Sequence, residues 1–563
     1  VRIWTPLLLL ALPSTALAEH PAGAVIENAA TVDVSPDGFN AITGILPSLI
    51  PTDIDIPEVS ESDPGYLGQC FLGGYEFSLT NAWVDIGINS ATLVPRPGRL
   101  DLEVDLAVKV NDPTDKFRLY IEAECIGDDC YGYVDQFNAQ VTTTLGLDVV
   151  TGADGQPAID ATVGQLSLNY DLQGTDINID DCFIGTIEDV LNFFGLSLFD
   201  LILSVASGFI DDTVADFGPE IEATLEEALG AAVLEQEVDL DGVVMDLGLY
   251  PAEIDIDDPG VRIWMDGYTS VDQTAECVAE YDTGGSLATE TEPPTLTETA
   301  SISPGYHAGL HLSDDFGNQA LYSLWRGGLL CQTVDAELTG FPLDTSILGL
   351  MAGDAFDDLF PESEPLVIQT RPMAPPTLVF DGENDVGIDV QDLGLDFYAN
   401  LDGREALVVG MDLATPAGID LVFDGTTGAL AVGVALEASD LDVTVTQNEF
   451  KPGTEAEIEG NFAGVFDTLV GPILDGLVSD LAFALPGFSG LGLSSLDLQG
   501  VGAEGDWLGG YAQVGPVSYE SGGCGDEGSD CGGGCGTTGR GGGRLALFTL
   551  PLALVLLRRR DDG

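Results

Sequence analysis

Val34-Ser35-Pro36-Asp37-Gly38-Phe39-Asn40 and Leu312-Ser313-Asp314-Asp315-Phe316-Gly317-Asn318 follow one pattern. In each, an apolar residue that ends a short strand leads into Ser. An acidic residue lies two positions after the Ser, and Asn falls at Ser+5. A Ser ahead of acidic residues is a helix N-cap signal, because its hydroxyl accepts an orphan N–H while the carboxylates favour the positive helix end. The first copy runs into Phe39, Ile42, Ile45, Leu46 and Leu49, and the second into Phe316, Leu321, Leu324, Trp325 and Leu329. Both runs carry helical spacing.

Working outward, each predicted helix is followed by period-two alternation. Asp101 to Val110 alternates acidic or basic with apolar residues, as do Val84/Ile86/Ile88 and Val386/Ile388/Val390. Such alternation predicts strands with one wet and one buried face. Asp402-Gly403 and Asp424-Gly425 predict turns. A second apolar helix then closes each copy. In the first it is Ile184–Leu203 with Ile221, Leu225 and Leu229; in the second it is Phe462, Val465, Phe466, Leu469, Ile473, Leu477 and Leu481. Asn192 and Asp200 interrupt the first stripe, so it reads as a buried helix and not a membrane span. The chain therefore divides into two related halves, 19–250 and 305–515. Residues 251–304 supply connecting strands and a Thr-, Glu- and Pro-rich linker. The fold class is α+β.

The 563 residues carry 95 Asp+Glu against 16 Lys+Arg, a formal charge of −79, while 45% are hydrophobic and mean hydropathy is +0.21. The chain can bury a large core, yet its charge argues against nucleic acid and against anionic lipid held by charge. Three His leave little material for a Ser/His/Asp triad or a zinc hydrolase. His307 and His311 are four apart but fall on a predicted strand, where that spacing spans about 13 Å. Gly487-Phe488-Ser489-Gly490 lacks the final Gly of a nucleophile elbow. Gly523 to Gly528 matches GxGxxG only in a low-complexity tail with no preceding strand. Asp176/Asn178/Asp180 and Asp255/Asp257 read as solvated strand faces, with no calcium-loop spacing. The expectation is a protein without catalytic residues, metal or cofactor.

The ends predict export. Val1-Arg2-Ile3-Trp4-Thr5, an apolar run and Ala16-Leu17-Ala18 predict a signal peptide over 1–18, cleaved after Ala18, in a bacterial chain. A Gly/Cys-rich flexible tail is expected over 516–544. Residues 545–563 hold a short apolar run and Arg558-Arg559-Arg560. This ending resembles the MYXO-CTERM sorting signals of myxobacteria and their relatives. That resemblance implies a sorting protease, with Cys535 the Cys nearest the apolar run, and association with the membrane through the tail. The protein is then expected at the cell surface or outer membrane, or released outside. In an oxidising compartment Cys70, Cys125, Cys130, Cys182, Cys277 and Cys331 are expected to form disulfides, in any of fifteen pairings.

Three further stretches carry a resemblance across the body. They are Leu312–Phe316 leading to Ala320–Leu330; Pro365–Gln369 followed by Ala374-Pro375-Pro376-Thr377-Leu378; and Leu485–Leu491, Leu496-Asp497-Leu498 and Trp507-Leu508. In this order they resemble the family of bactericidal/permeability-increasing protein, lipopolysaccharide-binding protein and cholesteryl ester transfer protein, within the tubular lipid-binding superfamily. The resemblance implies a boomerang: two pseudo-symmetric barrels of long antiparallel strands packed on helices, joined by a central sheet. It implies non-enzymatic binding or transfer of phospholipid or another acyl-chain lipid, with pocket lining from Phe39, Ile42, Ile45, Leu46, Leu49, Phe316, Leu321, Leu324, Trp325 and Leu329. It also implies a disulfide from Cys182 to Cys125 or Cys130. The departure is charge: lipopolysaccharide binders carry a basic tip, and here Arg96, Arg99, Lys109, Lys116 and Arg118 sit in an acidic excess. The alternative reading is a structural or adhesive surface protein that keeps the shape without a usable pocket.

Overall fold

The computed structural model describes residues 23–516, apart from 45–52, 64–74, 181–233 (Glu222 excepted), 467–482 and short gaps at 57, 124–125, 153–154, 174, 241, 279–280, 282–287, 290, 337–341, 381–385, 426–428, 437, 485–490 and 503–504. The signal peptide with Ala18, the tail with Cys535, the second apolar helix of the first half and most of that of the second lie outside the described residues. So do Ile45, Leu46, Leu49, Cys125 and Cys182.

Among the described residues the strands form three antiparallel sheets. The ten-stranded sheet is built on Ile126–Thr151, a single strand of 26 residues. At about 3.3 Å per residue it runs for about 85 Å. Arg99–Val110 and Phe117–Ala123 pair along one of its edges; Pro157–Val163, Ser167–Tyr170 and Ile177–Asp180 pair along the other. The alternation of Asp101–Val110 is realised: Leu100, Leu102, Val104, Leu106, Val108 and Val110 are all buried, with Asp101, Glu103 and Asp105 on the other face. An eight-stranded sheet in the second half centres on the hairpin Val386–Leu401 and Arg404–Asp424. Its turn, Asp402-Gly403, takes φ of 53° and 78°, the paired positive values of a type I′ hairpin. Neither sheet closes on itself among the described residues. The observed architecture is thus mostly antiparallel sheet with few helices, an α+β fold.

A seven-stranded sheet joins the two. Its order is Leu234–Leu240, Val243–Asp257, Gly260–Val271, Ile26–Val34, Ala308–Ser313, Trp507–Pro516 and Leu491–Val501. Strands before residue 272 and strands after residue 307 therefore meet at one seam, Ile26–Val34 against Ala308–Ser313. One core cluster runs from this sheet into the ten-stranded sheet, and a second fills the other half around Leu348, Met351, Phe397, Val409 and Phe462.

The linker is more ordered than its composition suggests. Leu296–Ile302 is a helix with a full capping box: Thr295 Oγ1 accepts from Glu298 N, and the Glu298 carboxylate accepts from Thr295 N at 2.9 Å. Thr295-x-x-Glu298 is a legible start signal that a reading from Thr and Pro content passes over. A disulfide, Cys277–Cys331, ties this connecting region to the end of helix Asp314–Gly327 across 54 residues. A closed loop of that length removes about 4 kcal/mol of unfolded-state entropy. Replacing both cysteines by Ser is expected to lower unfolding free energy by about 2–4 kcal/mol in urea titrations. An unchanged midpoint would show that the bridge adds nothing.

Candidate functional site

The two Ser residues of the repeat build the seam. Ser35 caps helix Pro36–Thr43, accepting from Gly38 N at 3.1 Å, and Ser313 caps helix Asp314–Gly327, accepting from Phe316 N at 3.2 Å. Each hydroxyl also donates across the seam. Ser35 donates to the Tyr306 carbonyl, and Ser313 donates to the Ala29 carbonyl at 2.9 Å. Each half's helix cap is thereby bonded to the other half's backbone. Backbones approach closely here: a Cβ on Gly38 would stand 2.1 Å from the His307 carbonyl oxygen, so only Gly fits.

The central sheet has two unlike faces. On one, Val32, Val261, Ile263, Met265, Leu312 and Leu508 form an apolar floor under helix Asp314–Gly327. Phe316 reaches the floor at Gly267, where a Cβ would meet its ring at 2.7 Å. Of the residues expected to line a pocket, Phe39, Phe316 and Leu324 lie in the continuous core, and Leu329 is half-buried against it. Leu321 and Trp325 are also buried, and Trp325 Nε1 donates to the Pro372 carbonyl at 3.3 Å. Ile42 belongs to helix Pro36–Thr43, and its side chain lies outside the described residues. Asn318 accepts from Leu378 N at 2.7 Å, which docks the Pro375-Pro376-Thr377-Leu378 stretch onto the same helix.

The other face carries a buried polar network that sequence reasoning missed. Asp33 and Arg262 face each other across the ladder and form a bidentate pair at 2.7 Å and 2.7 Å. Arg262 also donates to the Pro294 carbonyl of the linker at 2.6 Å. His311 lies 3.6 Å from the Asp33 carboxylate. Its Nδ1 meets Thr31 Oγ1 at 3.0 Å and its Nε2 meets Tyr511 Oη at 3.2 Å. Both partners are hydroxyls, which donate or accept as the imidazole tautomer requires. Burial is the main reason the His311 pKa is pushed down to about 4; the Asp33 carboxylate opposes that shift and Arg262 adds to it. His311 is therefore neutral at pH 7. Burial likewise raises the Tyr306 and Tyr511 hydroxyls. This network lies under the linker and holds strands from both sides of the seam, so its role is to join them.

The cations suggested by sequence are all engaged. Lys109 pairs with Asp85 at 2.7 Å, Lys116 with Asp180 at 2.5 Å and Arg118 with Asp129 at 2.7 Å. Arg99 pairs with Asp101 at 2.8 Å, and Arg96 reaches Asp258 at 3.4 Å. Among the described residues no group of three or more His, Cys, Asp or Glu is arranged to hold a metal, and no helix is long and apolar enough to cross a membrane. Cys130 is buried and disulfide-bonded; its sequence-predicted partner Cys182 and the alternative Cys125 lie outside the described residues.

No family model matches the chain, and no curated protein matches it. Among solved structures it is similar to lipopolysaccharide binding protein, with 13% identity over 88% of this chain and 100% of that one, at a TM-score of 0.48. It is also similar to P47 of Clostridium botulinum E1, with 10% identity over 87% and 99%, at a TM-score of 0.25.

Proposed function

We propose that this chain is a non-enzymatic lipid-binding protein, exported and displayed at a bacterial cell surface, where it captures acyl chains and hands them on locally. The supporting observation is the long apolar lane of the ten-stranded sheet. Along Ile126–Thr151, Val134 and then Phe137, Ala139, Val141, Leu145 and Leu147 turn to one side, with Thr143 the polar residue among them, in register with the buried residues of Arg99–Val110. From Val134 to Leu147 the lane extends for about 45 Å. An acyl chain laid along such a surface gains about 0.8 kcal/mol per buried CH₂. In this reading the two sheets curl toward barrels around the helices, and the Gly-rich stretch before residue 545 is a tether. Tethering favours capture and local hand-off over long-range shuttling.

A second reading, a surface protein of the same shape with a filled interior, is favoured by the burial of Phe39, Phe316, Leu324 and Trp325 in packed surroundings. Native mass spectrometry of the protein purified from its own envelope separates the two. The lipid-binding reading expects adducts of phospholipid mass that leave on delipidation and return on incubation with vesicles. A lipid-free protein that also takes up no fluorescent fatty acid would sink it in favour of the filled interior.

A further inference from the structure

The cation pairs of the first half carry a statement about which lipid it accepts, one that rests on the lipid-binding reading above. Residues 19–250 contain five Lys or Arg in all, and every one lies between positions 96 and 118. Any anionic headgroup held by charge on this half must therefore use Arg96, Arg99, Lys109, Lys116 or Arg118. Each already faces an Asp across or along the sheet. These pairs are partly exposed, and a surface pair of this kind is worth at most about 1 kcal/mol. A phosphate could thus displace a single Asp. It could not escape the surrounding field, because residues 75–180 hold eighteen Asp or Glu against those five cations.

We infer that Asp85, Asp129 and Asp180 are specificity determinants that silence the cations of this half, so that the lipid taken up has a zwitterionic or uncharged headgroup and not an anionic one. The three belong together by topology. Lys109 lies next to the end of strand Arg99–Val110, Lys116 immediately precedes strand Phe117–Ala123 and Arg118 lies within it, and all three carboxylates come from strands of the same sheet. Lys109 is held twice, since its ammonium also lies over the Trp83 ring at 5.6 Å. Nothing comparable restrains the capture of apolar tails, which is indifferent to headgroup charge.

The test uses the full chain, delipidated and then incubated with vesicles of phosphatidylcholine or of phosphatidylglycerol with identical acyl chains. The protein is re-isolated and its bound lipid counted by native mass spectrometry. At about 0.01 M salt, where screening reaches only beyond about 30 Å, phosphatidylcholine is expected to be captured about tenfold more than phosphatidylglycerol. The ratio should shrink toward one at about 1 M salt. The triple variant D85N/D129N/D180N removes carboxylates that are at least partly exposed. It is expected to raise phosphatidylglycerol capture severalfold and leave phosphatidylcholine capture unchanged. Equal or preferred capture of phosphatidylglycerol at low salt, or a triple variant with an unaltered ratio, overturns the selectivity and leaves lipid binding standing. Capture of neither lipid overturns the lipid-binding reading itself, and this inference with it.

Discussion

Replacing Arg262 by Ala is expected to lower the unfolding free energy by about 3–5 kcal/mol. The reason is what the substitution leaves behind. Asp33 is fully buried, and both of its carboxylate oxygens are satisfied by the Arg262 guanidinium. Without the guanidinium, a buried carboxylate keeps only a neutral imidazole 3.6 Å away. The pair itself is not expected to be worth that much, since taking two charges out of water offsets most of their attraction. The double variant Asp33→Leu/Arg262→Met should therefore be far less destabilised than Arg262→Ala alone. Urea unfolding of the wild type, both single variants and the double variant measures the coupling directly. Arg262→Ala also removes the donor to the Pro294 carbonyl, so amide exchange should rise in the linker helix Leu296–Ile302 before the rest of the protein opens. A single variant that loses less than about 1 kcal/mol would show that water reaches Asp33 and that the seam does not depend on the pair.

Acid should weaken the same seam through His311. Its folded-state pKa, about 4, lies below the ordinary 6.5. The unfolded chain therefore takes up a proton before the folded one does. The corresponding stability is fully present above pH 6.5 and is lost as pH falls toward 4. Between pH 7.5 and 4.5 the loss amounts to about 2.5 kcal/mol. Carboxylate protonation acts over part of the same range, and it relieves the self-repulsion of a chain with formal charge −79. A comparison cancels that contribution. The difference in unfolding free energy between pH 7.5 and 4.5 should be about 2.5 kcal/mol less unfavourable in His311→Gln than in the wild type. Parallel pH profiles for the two proteins would mean that His311 titrates alike folded and unfolded, and a wild type that gains stability in acid relative to His311→Gln would mean that it is charged when folded.

Both predictions concern residues whose importance was hard to see in the sequence. Val32-Asp33-Val34 and Val261-Arg262-Ile263 look like ordinary alternation, in which the charged residue belongs to the wet face. His311, likewise flanked by Leu310 and Leu312, invited only a test for metal-binding spacing. A local period assigns a side of the sheet and is silent about what covers that side, and here Asp33 and Arg262 are both buried. The linker covers Arg262 by way of Pro294, and a cover of that kind is set by long-range packing and not by local period.

The capping Ser residues show the opposite balance. Ser35 and Ser313 could be identified from the few residues around them, because an N-cap is satisfied within four residues of itself. Their donation across the seam, to carbonyls 271 and 284 residues away, could not. The same division runs through the molecule. Sequence alone determined the alternating strands, the helix starts, the turn at Asp402-Gly403 and the acidic field, because each follows from a period, a short-range hydrogen bond or a sum of charges. Only the tertiary structure decided that the repeated strands pair with each other, that each first-half cation meets an Asp, and that Cys277 finds Cys331. These depend on which distant backbones come within bonding distance, and no local pattern encodes that.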